Sequence, residues 1–186
     1  GLIKQGAGFV VLHQSVDIPE DHANDFKEWA GAVWQKDIGS RGHWDMSFTP
    51  TAKHEVLSGV APFTAPKDGW LYNLHFADKN VAPLITGGVP DKSRSTADAK
   101  AHNGRAEVIA WAHERENGGR SFGYTGCDLH QNWDVEAQRR LVVNAILWSA
   151  KVNVPAAGAP VAIDSSDLTS NMDRKVFSAA KKTAEK

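Results

Sequence analysis

Apolar residues first gather without interruption at Phe9-Val10-Val11-Leu12, after the turn-forming Gly6-Ala7-Gly8 and directly before His13. A continuous apolar run of this length suits a buried strand covered on both faces, as in a parallel sheet. Over residues 20–34 the period changes. Phe26, Trp29, Ala30 and Val33 recur at helical spacing behind Pro19 and an acidic start, which predicts an amphipathic helix. Alternation over 43–48 and 70–76 predicts strands, with a shorter candidate over 81–86. Residues 87–105 are small and polar, a long loop of the functional or mobile kind. Two further strands are predicted over 106–113 and 121–125, joined by ERENGGR, whose Asn-Gly-Gly favours positive φ and hence a hairpin or near-hairpin. The strongest helix covers 134–150. Asp134 is placed to cap it, Glu136 suits the positive end of its dipole, and Leu141, Val142, Ala145, Ile146 and Trp148 form one apolar face. Beyond Val154-Pro155 the chain turns to Ala, Gly, Pro, Ser and Lys with little period, so residues 156–186 are expected to be a linker or flexible tail. Strands mixed with helices around a buried strand give an α/β layered fold.

Composition narrows the function classes. With 186 residues, 41% of them hydrophobic and 23% charged, the chain can bury the core of one domain. Its formal charge is −1 and its Lys and Arg are scattered, so the footprint of a nucleic-acid or anionic-membrane binder is missing. Small neutral or weakly charged ligands suit it better. No apolar run approaches the roughly 20 residues of a membrane span. The single Cys127 cannot form an internal disulfide, which leaves the compartment open. GLIKQGAG has neither Met nor a basic-then-apolar leader and reaches a strand within a few residues, so the chain is read as beginning inside a domain. Flanking domains or a homo-oligomer are compatible with that reading.

Ligands of open α/β sheets bind beyond the carboxyl ends of the strands. Two predicted strands end in chemically capable groups, one at His13-Gln14 and the other at Cys127, Asp128 and His130. If those strands are parallel neighbours, the groups share a cleft. An imidazole at a strand tip suits a general acid or base, or equally a structural hydrogen bond. His43 and Asp45 lie two apart on one side of a predicted strand, the spacing of a surface pair or a site pair. His54 and His75 are structural or line the same pocket; His22, His102 and His113 read as exposed or loop residues. A zinc site lacks the His-x-x-x-His or Glu-x-x-His spacing. Cys127 reads as a small buried residue, because a reactive thiol needs a base and an electropositive setting. Trp44 and Trp133 could flank a sugar ring, although most of the seven tryptophans serve the core. No Gly-x-Ser-x-Gly elbow or P-loop occurs, and Gly6-Ala7-Gly8 precedes a strand where a phosphate loop would follow one.

Four stretches together resemble the ThuA-like (trehalose utilisation) family, relatives of the class I glutamine amidotransferases: GAGFVVLH (6–13), KHEVLSGVAPF (53–63), DGWLYNLHF (68–76) and the long block GGRSFGYTGCDLHQNWDVEAQRRLVVNAILWSAKVNVP (118–155). The resemblance covers residues 1–155. It implies a flavodoxin-like three-layer sandwich with a mostly parallel sheet whose first strands are missing from this chain. His13 matches the family histidine at the strand tip, where related amidotransferases carry their nucleophilic cysteine, so glutamine hydrolysis is not expected. His130 matches a family histidine. The chain departs from the family's Gly-Gly-His-x-His at Asp128, from its His-Pro at Glu55, and from its acidic residue at Gly69.

The function this implies is action on, or binding of, a sugar or keto-sugar. The catalytic candidates are His13, Asp128 and His130, with Gln14, His43, Asp45, Tyr72 and Trp133 binding substrate; no cofactor is specified and no metal is assigned. Two other classes fit the sequence: a noncatalytic carbohydrate-binding or interaction module of a larger protein, and a metal-dependent hydrolase using the histidines and Asp128.

Overall fold

The computed structural model describes residues 1–50 and 52–170. The apolar run forms β1 (Phe9–Leu12), and the first helix, α1 (Ala23–Ala30), follows a 3-10 turn at Glu20–His22. This helix is shorter than its periodicity predicts. Gly31, at φ 88°, ends it by donating its N–H to the Lys27 carbonyl at 2.8 Å, the left-handed stop that glycine adopts without Cβ strain. Val33 therefore falls in β2 (Ala32–Val33), which pairs with β5 (His75–Phe76). Between them, β3 (Ser40–Phe48) and β4 (Phe63–Tyr72) form a long antiparallel ribbon with a bulge after Trp44. The rest comprises β6 (Val81–Gly87), α2 (Ala97–Ala101), β7 (Glu107–Glu114), β8 (Arg120–Tyr124) and α3 (Glu136–Ser149).

The central sheet has the order β1-β8-β7-β6. Strands β1 and β8 are parallel, with Leu12 opposite Tyr124, whereas β8–β7 and β7–β6 are antiparallel. The α/β class is as expected, but among the described residues the sheet is mostly antiparallel and only partly parallel. The physical reason is connection length. Residues 115–119 are too few for a crossover, so β7 must return beside β8 as a hairpin.

Two cores lie on opposite faces of β1. Val11 packs into a cluster with Phe26 and Ala30 of α1 and with Trp111, whereas Val10 and Leu12 pack against a cluster containing Leu141, Val142, Ala145 and Trp148 of α3. Period-two alternation along the strand accounts for this division. Ile146, expected on the apolar face of α3, is 49% exposed. Asp134 does not cap that helix; Val135 precedes it without a side-chain cap. The long polar loop is organised around Arg94. This wholly buried guanidinium meets Glu107 at 2.6 Å and donates to the Arg105 carbonyl at 2.6 Å.

The stretch expected to be a linker is partly packed. Ala159 and Val161 are buried. Buried Asn144 on α3 accepts from the Ala159 N–H at 2.8 Å and donates to the Val56 and Ser58 carbonyls at 3.0 and 2.8 Å. Residues 171–186 lie outside the described residues. Asn144→Ala is expected to cost about 2–3 kcal/mol, because it strands buried backbone groups, and to open residues 156–163 to protease. An unchanged urea midpoint with unchanged cleavage would contradict that attachment.

Candidate functional site

Because β1 and β8 run parallel and end together, the residues that follow them meet at one edge. His13 follows β1 with φ 47°, and its Nδ1–H donates to the Thr125 carbonyl at 3.0 Å. Ser15 steadies this turn by accepting from the Leu12 N–H at 2.8 Å. Cys127 also has a left-handed backbone, at φ 74°. Non-glycine residues in this region cost on the order of 1–3 kcal/mol and persist where surroundings impose them.

For Cys127 the imposing group is Asp68, which has no solvent exposure. Its carboxylate accepts the N–H groups of Cys127, Asp128 and Leu129 at 2.9, 2.9 and 3.0 Å, and that of Gly69 at 3.0 Å. The β3–β4 bulge sits beside it: Lys67, at φ 51°, donates its N–H to Asp45 Oδ1 at 2.7 Å. Bulges of this kind re-aim a side chain out of the regular alternation.

The loop so fixed directs Asp128 over the ribbon. His43 Nε2–H donates to Asp128 Oδ2 at 2.7 Å, and His13 Nε2 lies 3.1 Å from Oδ1. One carboxylate therefore joins two histidines that are 30 residues apart in sequence. Gly69 faces His43 directly in the β3–β4 register. A Cβ at that position would lie 2.8 Å from Asp128 Cγ and 2.9 Å from Asp128 Cβ, so the missing side chain is the space in which the carboxylate sits. The cleft, of about 390 Å³, is lined by His13, Gln14, Arg41, Gly42, His43, Gly69, Trp70, Leu71 and Asp128. Gln14 donates to Asp17 Oδ2 at 2.7 Å, and Arg41 is 3.9 Å from the same oxygen.

Of the residues singled out in the sequence, His13, Gln14, His43 and Asp128 come together. The other four do not. Asp45 is exposed and keeps to the His43 face of β3, but the extra residue of β4 at the bulge brings the Lys67 amide to its carboxylate, which is bonded there and not in the cleft. Tyr72 is wholly buried, on the face of β4 opposite to Gly69. Its hydroxyl donates to Ser93 Oγ at 3.0 Å, Trp44 meets it edge-on, and burial raises its pKa. His130 is exposed at the start of a 3-10 turn, since the chain leaves the cleft once Asp68 has fixed Leu129. Trp133 is half-buried against the α3 core.

Three site residues escape the sequence reading. Arg41 had a signal, since it lies two residues before His43 and shares its face of a strand. Asp68 had none, because an acidic residue in a polar-flanked strand reads as surface, and Gly69 stood out only as a departure from the family's acidic residue.

The remaining histidines are structural or peripheral. His54 is half-buried; its Nδ1 accepts the Val56 N–H at 3.2 Å and its ring meets Trp148 edge-on, with burial lowering its pKa. His75 is exposed beside Gln35. His113, expected to be exposed or in a loop, is buried in β7, with ring nitrogens 3.1 and 3.0 Å from the Asn80 and Glu28 carbonyls. Burial, and then the charge of Asp68, push the Cys127 thiol far above its ordinary range. Among the described residues no three His, Cys, Asp or Glu side chains are arranged to hold a metal ion, and no helix is long and apolar enough to cross a membrane.

Fold and cleft together define an α/β domain with a histidine–carboxylate cluster at the carboxyl edge of its parallel strand pair. The family model for ThuA, trehalose utilisation, matches residues 1–149, and the chain belongs to that family. Two solved structures share the fold. A ThuA-like protein from Parabacteroides merdae ATCC 43184 superposes with TM-score 0.62 at 14% identity, over 82% of this chain and 64% of its own. A second, from Bacteroides uniformis ATCC 8492, gives TM-score 0.56 at 18% identity, over 81% and 62%. This chain therefore spans less than two thirds of either protein. No curated protein matches it.

Gly69→Ala is expected to destabilise the chain by about 1–3 kcal/mol through overpacking, and to do so far less in an Asp128→Ala background. Urea unfolding of the single and double variants measures the coupling; a value near zero would show that the two residues do not share that space. Iodoacetamide is expected to label Cys127 at neutral pH at least about 100-fold more slowly in the folded than in the unfolded chain, since desolvation and the Asp68 charge keep the proton on this half-buried thiol. Equal rates would contradict that suppression of the thiolate.

Proposed function

We propose that this ThuA-family chain takes a sugar or keto-sugar into the cleft and moves a proton on it. The reaction envisaged removes or returns a proton at a hydroxyl group, or at the carbon beside a ketone. The observation that carries this reading is Asp128, one carboxylate in contact with both His13 and His43 at the carboxyl edge of a parallel strand pair. Imidazole and carboxylate in hydrogen-bond contact are the usual means of proton transfer near neutral pH. The strand edge is the general ligand position of α/β sheets, and Gln14 and Arg41 supply polar groups for hydroxyl or carbonyl oxygens. The sugar itself is drawn from the family's description, trehalose utilisation.

The test uses the full chain with 3-keto-disaccharides, following turnover and the exchange of substrate carbon-bound hydrogen in D2O. Asp128→Asn and His13→Ala are each expected to lower kcat/KM by about 10²–10⁴-fold. Unchanged activity in both variants would remove the cleft from the chemistry. Tight sugar binding with no turnover or exchange would instead make this chain a carbohydrate-binding domain.

A further inference from the structure

We infer that His43 is the proton-accepting group of the cleft, with Asp128 orienting its ring and His13 held as a positioning residue; this rests on the acid–base reading above. The assignment follows from counting ring nitrogens. Each ring nitrogen of His13 faces an oxygen acceptor, the Thr125 carbonyl at Nδ1 and Asp128 Oδ1 at Nε2, so bonding both takes a proton on each nitrogen and leaves this ring no lone pair. His43 Nε2–H is committed to Asp128 Oδ2. Among the described residues nothing bonds His43 Nδ1. A neutral imidazole with its proton fixed on Nε2 has its lone pair on Nδ1, so the one uncommitted nitrogen of the cluster is the basic one. Exposure agrees: the His43 side chain is 64% exposed and that of His13 19%.

Charge is handled by the same contacts. When Nδ1 gains a proton, the imidazolium has a carboxylate 2.7 Å from its other nitrogen, which steadies the charge as a buried carboxylate does behind a catalytic histidine elsewhere. His13 holds that carboxylate from the opposite side. In the step itself, the bond from the carbon beside the sugar's ketone to hydrogen breaks, Nδ1–H forms, and the electron pair passes into the enolate. The reverse transfer returns a proton from Nδ1 to that carbon. In D2O the returned nucleus is deuterium, with no oxidant or co-reactant required. Gly69 makes the arrangement possible, because the residue opposite His43 contributes no side chain and leaves the carboxylate to arrive from the loop.

Two measurements decide the assignment. Nitrogen-15 NMR of the labelled full chain is expected to show His43 protonated at Nε2 with a bare Nδ1, a preference lost in Asp128→Asn. Kinetically, His43→Ala is expected to lower kcat for exchange of a 3-keto-disaccharide by at least about 100-fold, with a smaller change in KM. Added imidazole is expected to restore part of that rate, since the position is open to solvent. His13→Gln is expected to lower the rate and to weaken the His43 tautomer preference. A His43 protonated at Nδ1, or exchange that survives His43→Ala while His13→Ala abolishes it, would overturn the assignment and leave the cleft's function standing. Absence of exchange in the wild-type chain would overturn the function together with the assignment.

Discussion

Asp68 is shut off from solvent, and its two carboxylate oxygens accept four backbone N–H groups, three of them from the loop at 127–129. Removing a carboxylate from water costs several kcal/mol, and hydrogen bonds to a charged group return about 1.5–3 kcal/mol each. Four such bonds offset the cost and leave a geometric result. The chain is forced through the left-handed backbone at Cys127, and the next side chain is aimed over the β3–β4 ribbon. Without that anchor nothing in the local sequence would hold Asp128 between His43 and His13. The thiol beside it is a by-product of the same constraint: the strained, half-buried position is occupied by a residue whose reactivity its surroundings suppress.

Two departures from the ThuA pattern become one event in space. The resemblance puts an acidic residue where this chain has Gly69 and a histidine where it has Asp128. In the folded chain these positions meet, because the volume a Cβ at 69 would fill holds the Asp128 carboxylate. His43, opposite Gly69 in the register, therefore receives its acid from the loop and not from the facing strand. Seen one at a time, the substitutions suggest a site taken apart; seen together, they describe a carboxylate supplied from a different element.

What was legible in sequence follows from local periodicity. The apolar strand before His13, the hairpin around Asn-Gly-Gly and the body of α3 depend on period and turn chemistry, and each is present. The antiparallel β7–β8 pair was legible in its short connection, but the pairings of β1 with β8 and of β6 with β7 were not, since contacts far apart in sequence settle them. Nor was the bulge opposite Asp45, where an extra residue in β4 brings the Lys67 amide to that carboxylate and keeps it from the cleft. Tyr72 and His130 failed as site residues for similar reasons. A strand pattern does not say which face meets the cleft, and a loop pattern does not say where the chain leaves it. Asp68 was the deepest omission, because a buried acid has the same letter as an exposed one and only its partners tell them apart.

The anchoring of the loop by Asp68 is tested most directly by amide hydrogen exchange at Cys127, Asp128 and Leu129 in the wild-type chain and in Asp68→Asn. The account predicts slow exchange at all three amides in the wild type, comparable to the core of β8, and fast exchange in the variant while β8 itself stays protected. Equal protection of the three amides in both proteins would contradict the claim that this carboxylate holds the site together.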